Sequence, residues 1–217
     1  MKKIAFVDVD GVLFDITAFK LKYFEFLASL MGGGKGATES VLASYEKSKS
    51  CYVYDVEKHL ALLQSHIPTF FFRQKVANFV HDTAEQFIYS DVELFLSRLV
   101  GIGYEVRIAT SGFEWFQKEK IPSYLKKYLT RVSVTTDATK VSIIGRFADP
   151  KVDDIVLFDD STHVIDKVKD FFPWSCAVQV SRQKNLLGSS LLCGTAFADF
   201  HVRNLEEALH AITNRHK

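Results

Sequence analysis

The stretch Ile4-Ala5-Phe6-Val7-Asp8-Val9-Asp10-Gly11 decides how this chain is read. Four apolar residues in succession suit a strand covered on both faces, as in a parallel sheet. The abrupt change to two carboxylates and a glycine marks the strand's C-terminal end, the edge where open α/β sheets bind ligands. Two later strands close in the same way. Tyr104 to Ala109 runs into Thr110-Ser111-Gly112, and Ile155-Val156-Leu157-Phe158 runs into Asp159-Asp160. In a parallel sheet all three finish on one edge, so their polar ends can share a site. Four carboxylates there repel one another, and a divalent cation is the plainest remedy. An all-oxygen site with few protein ligands suits Mg²⁺.

Working outward, Phe14 to Ile88 reads as helical. Ile16, Phe19, Tyr23, Phe24, Leu27, Leu30 and Met31 recur at helical spacing until Gly32-Gly33-Gly34. Further helices are expected over about Glu39–Lys49, Val56–Ser65 and a segment carrying Phe72, Val76, Phe79, Val80, Ala84 and Phe87. From there strands alternate with helices. A Ser90/Glu93 capping box precedes a helix, and Arg131–Thr135 and Ala177–Val180 read as strands. Asn204 with Glu207 caps a C-terminal helix. The expected fold class is α/β, Rossmann-like, with a mostly parallel sheet. The expected division is an α/β core over residues 1–13 and 89–217, with a helical domain over residues 14–88 inserted in it.

The 217 residues carry 27 basic and 26 acidic side chains, a formal charge of +1. That balance argues against a dedicated nucleic-acid binder, and a hydrophobic content of 47% argues against a disordered chain. Nine of the 19 phenylalanines fall between Phe14 and Ile88, which predicts a second small aromatic core in the insertion. No apolar run is long enough to span a bilayer, and Ile4 to Val7 is too short for a signal-peptide core. Cys51, Cys176 and Cys193 are odd in number without close pairing. They read as reduced thiols, so a cytoplasmic location is expected.

The residue types suit phosphoryl transfer. Asp8 is a candidate nucleophile. Asp10 is a candidate general acid and base, and Thr110 or Ser111 a hydrogen-bond donor to phosphate. A lysine would neutralise charge on the phosphoryl group. Lys140 follows a strand ending at Thr135, on the site edge. Lys151 precedes the strand ending in Asp159, on the opposite edge. Topology favours Lys140, with Lys151 the alternative. Lys118, Lys120, Lys126 and Lys127 read as surface charges of a helical stretch. Asp15 reads as a helix cap and Gly11 as a turn residue. His59, His66 and His81 carry no assigned role, and Phe70-Phe71-Phe72 reads as core of the insertion.

Asp8-Val9-Asp10-Gly11-Val12-Leu13-Phe14-Asp15 resembles motif I of the haloacid dehalogenase superfamily. Ile108-Ala109-Thr110-Ser111-Gly112 resembles its motif II, and Val156-Leu157-Phe158-Asp159-Asp160-Ser161 the paired-acid form of motif IV. The resemblance spans roughly Ile4 to Val180, with the insertion matched only by position and helicity. It implies a helical cap of the C1 type. Asp8 would then be nucleophile and metal ligand. Asp10 would be acid/base, with its backbone carbonyl on Mg²⁺. Asp160 would contact the metal with Asp159 in support, and Ser111 and Gly112 would bind substrate. The dehalogenase branch lacks the aspartate at the position of Asp10 and needs no metal, so Asp10 favours the phosphatase branch. The implied activity is Mg²⁺-dependent hydrolysis of a small phosphorylated metabolite through an aspartyl phosphate. Motifs I and IV are similar to those of the 5′(3′)-deoxyribonucleotidase branch, which puts a nucleoside monophosphate first and sugar phosphates or phosphoglycolate-like acids next. A phosphomutase or phosphotransferase on the same site, and a non-catalytic binding module, are the alternatives.

Overall fold

The structure is a computed structural model that describes residues 2–49, 53–63, 69–147, 149, 153–182 and 195–215. Six strands form one sheet: β1 (Lys2–Val7), β2 (Tyr104–Ser111), β3 (Leu129–Thr135), β4 (Asp153–Asp159), β5 (Cys176–Val180) and β6 (Phe200–Val202). Their spatial order is β3-β2-β1-β4-β5-β6, and every pairing is parallel. The apolar strand of the opening motif is therefore central, with β2 on one side and β4 on the other. Val7 pairs with both Ile108 and Phe158, so the chain ends that follow β1, β2 and β4 emerge side by side.

The alternation of side chains across a strand sorts the core into two clusters. Ile4, Phe6, Ala109, Ile155, Leu157 and Ala177 face one side. There they pack on α7 (Val141–Gly145) and α8 (Thr162–Phe171) through Ile143, Ile144, Val164, Ile165 and Val168. Ala5, Val7, Ile108, Val156, Phe158 and Val178 face the other side, against α5 (Val92–Gly101) and α9 (Leu205–Asn214).

Among the described residues, four α-helices lie between β1 and α5: α1 (Ile16–Leu30), α2 (Gly34–Ser48), α3 (Val56–Leu63) and α4 (Thr69–Thr83). A short 3-10 turn (Ala84–Phe87) follows them. Asp15 caps α1 by accepting from the Ala18 amide at 2.9 Å. The second helix begins at Gly34, about a turn and a half earlier than its apolar pattern indicates. The chain at the two borders is not helical. Phe14 and Ile88 form an antiparallel bridge, with the Asp15 amide on the Phe87 carbonyl at 2.7 Å and the Tyr89 amide on the Leu13 carbonyl at 3.1 Å.

The aromatic surplus does not build a separate second core. Phe14, Phe19, Tyr23, Phe72 and Phe87 belong to the same apolar cluster as one face of the sheet. Phe116, from α6 (Glu114–Glu119), joins them with its ring centroid 5.7 Å from that of Tyr23 and 6.2 Å from that of Phe19. Buried His59 sits in this region among Tyr23, Phe24, Tyr45 and Tyr54. Its ring bonds the Val41 carbonyl at 3.1 Å and the Tyr54 hydroxyl at 2.6 Å, and burial lowers its pKa to about 4. It is a neutral core residue.

The expected Ser90/Glu93 capping box does not form. Asp91 is the N-cap of α5, with no side-chain cap bond. Its carboxylate accepts instead from Arg182 at 2.7 Å and from the Leu205 amide at 2.9 Å, while Glu93 takes Lys127 and Tyr128. A charged guanidinium is a stronger partner than a helix-end amide. Cys176 is buried and free. Cys51, Cys193, His66, Lys151 and the side chains of Phe70 and Phe71 lie outside the described residues. Among those described, no helix is long and apolar enough to cross a membrane.

Candidate active site

Asp8 follows β1 and is held by its own amide, which donates to the Phe158 carbonyl of β4 at 3.0 Å. That bond sets its carboxylate beside the end of β4. Carboxylate oxygens of Asp8, Asp159 and Asp160 all lie within 4.8 Å of one another. The Lys140 ammonium lies between two of them, 2.8 Å from Asp8 Oδ1 and 2.7 Å from Asp159 Oδ2. Asp159 is fully buried and also accepts the Ser161 amide at 2.9 Å.

Lys140 thus reaches the site, on the edge where topology places it. It is buried, and it is the one non-glycine residue of positive φ among those described, at 59°. A left-handed residue with a Cβ costs about 1 kcal/mol, and two ion pairs hold the side chain there. Burial works against the ammonium's charge, but Asp159 and Asp8 more than offset it and hold its pKa above the ordinary range.

Asp8 is buried as well. Burial, then the charges of Asp159 and Asp10, push its pKa up to about 7 against the lowering pull of Lys140. Its Oδ1 lacks a hydrogen bond of good geometry despite the nearby ammonium. Asp160 is exposed. Crowding by surrounding protein, then Asp159 and Asp8, raise its pKa too. One ammonium therefore serves three clustered carboxylates. Such a cluster, with its raised acid pKa values, fits a divalent cation.

Gly11 makes room for this cluster. Its φ is +81°, and a Cβ added there would lie 2.1 Å from Asp160 Oδ2. Gly11→Ala is expected to cost about 2 kcal/mol in strain and to push Asp160 out of the cluster. A fall in melting temperature together with weaker Mg²⁺ binding by calorimetry would show both effects.

Thr110 is buried at the end of β2, next to the β1 end. Its neighbours have other partners than a substrate. The Ser111 hydroxyl donates to the Asp137 carbonyl at 3.0 Å, and the Gly112 amide to the Thr135 carbonyl at 2.8 Å. These bonds tie the end of β2 to β3 and to the loop that carries Lys140. The Ser111 hydroxyl and the Gly112 amide, expected to bind substrate, make these bonds within the protein.

The Asp10 carboxylate does not join the three clustered ones. Its two oxygens lie 2.8 and 2.7 Å from the Lys120 ammonium, and Gln117 Nε2 donates to Oδ2 at 3.2 Å. Lys120 is 1% exposed, so its assignment to a surface face is corrected. Lys118, Lys126 and Lys127 are exposed as expected. Spacing carries the missed signal. Phe113, Phe116, Lys120 and Ile121 recur at the i, i+3, i+7, i+8 intervals of one helical face, which places Lys120 among apolar residues.

No family model and no curated protein matches the chain, but solved structures do. A protein from Burkholderia xenovorans described as a haloacid dehalogenase-like hydrolase matches with a TM-score of 0.78 at 15% identity, over 98% of this chain and 97% of that one. A phosphatase of the same superfamily from Thermococcus onnurineus matches at 0.66 and 21% identity, over 98% of both chains. A magnesium-bound protein from Bacillus subtilis, described as a hydrolase of that superfamily, matches at 0.64 and 13% identity, over 98% of both. Identities this low speak to the fold, and the fold is that of the haloacid dehalogenase-like hydrolases.

Proposed function

We propose that the chain is a Mg²⁺-dependent phosphatase of the haloacid dehalogenase superfamily, acting on a small phosphorylated metabolite. The observation that carries this reading is the convergence of Asp8, Lys140, Asp159 and Asp160 at the ends of adjacent strands, with Asp10 two residues beyond Asp8. The Thermococcus onnurineus phosphatase and the magnesium-bound Bacillus subtilis structure support it. Asp8, Asp159 and Asp160, with the Asp10 backbone carbonyl, would hold Mg²⁺, which neutralises phosphate and carboxylate charge at the site.

In the first step an Asp8 oxygen attacks phosphorus and the ester P–O bond breaks. The departing oxygen takes a proton from Asp10. Asp10, now a carboxylate, then removes a proton from water, which attacks phosphorus, releases phosphate and restores Asp8. Lys140 holds Asp8 in place and offsets charge on the phosphoryl oxygens, and Thr110 donates a hydrogen bond to one of them. The helical insertion would act as a cap that closes over the substrate and excludes water. A nucleoside monophosphate is the first substrate class to try.

A screen over nucleoside monophosphates, sugar phosphates and phosphoglycolate, with Mg²⁺ and with chelator, tests the reading. Phosphate release is expected only with the metal. At Mg²⁺ a hundredfold above its Kd, the folded state should gain about 2.7 kcal/mol, visible as a higher melting temperature. Absence of hydrolysis across the panel would refute the phosphatase assignment. Transfer of phosphate to an added sugar hydroxyl, without release, would point to the phosphotransferase alternative.

A further inference from the structure

A lysine at the end of a short helix ordinarily keeps its ammonium at the surface, as Lys118 does two residues earlier, exposed and paired with Glu114. Lys120 does the opposite. Its ammonium lies 4.8 Å from the ring centroid of Phe116, 5.5 Å from that of Phe14 and 5.8 Å from that of Phe19, and its one carboxylate partner among these contacts is Asp10. An apolar side chain would fill the same aromatic pocket without the cost of desolvating a charge. What lysine adds is a fixed point for both Asp10 oxygens. Asp10 needs one, because its side chain sits on a loop and keeps 27% of its surface open.

Helix α6, which Lys120 follows as the C-terminal cap residue, is itself braced. Trp115 Nε1 donates to Glu57 of α3 at 2.7 Å, Arg73 of α4 lies 5.0 Å from the Trp115 ring centroid, and His81 of α4 meets Glu119 at 2.8 Å. Gln117 of the same helix donates both to Asp10 and to the Ser111 carbonyl. The helix insertion, the end of β2 and the candidate acid/base are thus joined through one six-residue helix.

We infer that Lys120 is a positioning residue for Asp10, fixing the carboxylate where it serves the leaving-group oxygen. This rests on the phosphatase reading. Lys120 reaches the leaving group only through Asp10. Its effect should therefore scale with how much the leaving group needs a proton, which a merely structural lysine would not do.

The test compares phenyl phosphate, whose leaving group is poor, with p-nitrophenyl phosphate, whose leaving group departs without protonation. Both are measured as kcat/KM with Mg²⁺. Lys120→Met should lose about 100-fold on phenyl phosphate and less than about tenfold on p-nitrophenyl phosphate. Added to Asp10→Asn, it should change phenyl phosphate turnover by less than about twofold, since the two residues act as one unit. Equal losses on both esters, or losses that multiply with those of Asp10→Asn, would overturn the inference and leave the phosphatase reading standing. A wild-type protein that hydrolyses neither ester would overturn the reading and the inference with it. Should Lys120→Met fail to fold, Lys120→Gln is compared in the same way.

Discussion

Asp8→Asn is expected to remove turnover almost completely, by on the order of 10⁴-fold or more, the scale on which losing a nucleophile acts in other hydrolases. An amide cannot form the acyl phosphate, and the residues around it cannot take over the bond. The same substitution should act in the opposite direction on stability. The Asp8 pKa is about 7 in the folded protein against an ordinary 3.8, so the folded state binds more protons between those values. This group's contribution is then fully present below about pH 4 and is lost as pH rises through 7. With chelator present, wild type should lose melting temperature across that window, and Asp8→Asn should flatten the decline. Mg²⁺ should restore the wild type most strongly above pH 7. A variant with substantial phosphatase activity would dismiss the nucleophile assignment. An unchanged pH slope would show that Asp8 does not titrate in this range.

Lys140→Ala should be costly in both activity and stability. It strips the ammonium from buried Asp8 and Asp159, and removing one partner of a buried ion pair costs about 3–5 kcal/mol. Turnover should fall by roughly 10²- to 10³-fold, the usual scale for losing one group that stabilises transition-state charge. Lys151→Ala is the control and should stay near wild type. The reverse ranking would give the motif III role to Lys151. In an Asp8→Asn background the stability cost of Lys140→Ala should shrink, because one of the two stranded charges is then absent.

The residues that mark the site were legible because they obey chain-local rules. An apolar run that ends in carboxylates states both a buried strand and its functional end. Three such runs in a parallel sheet place Asp8, Thr110 and Asp159 on one edge, and the observed order puts β2 and β4 on either side of β1. Lys140 followed from the same logic. What escaped was set by tertiary choice. Lys120 looks like its charged neighbours unless helical phase is followed through Phe113 and Phe116. Asp91 gave up a cap for Arg182, a partner 91 residues away in sequence, which no local pattern encodes. The three-residue strand β6 is too short to leave a periodic trace. The aromatic residues of the insertion were identified as core, but they share one cluster with the sheet face, and Phe116 joins it from outside the insertion.

The paired rungs at Leu13–Asp15 and Phe87–Tyr89 bear on how such a molecule diversifies. The long excursion between them leaves and re-enters through neighbouring backbone bonds, and Arg182 fastens both sides of that gate by reaching the Val12 carbonyl and Asp91. Chain length or composition can change beyond the gate without shifting the register of β1, only a few residues from Asp8. A lineage could therefore exchange the inserted helices while the acidic cluster around Asp8 stays put. Any replacement must still offer a seat for Trp115 and Phe116, so the freedom to vary is bounded by a small aromatic contact.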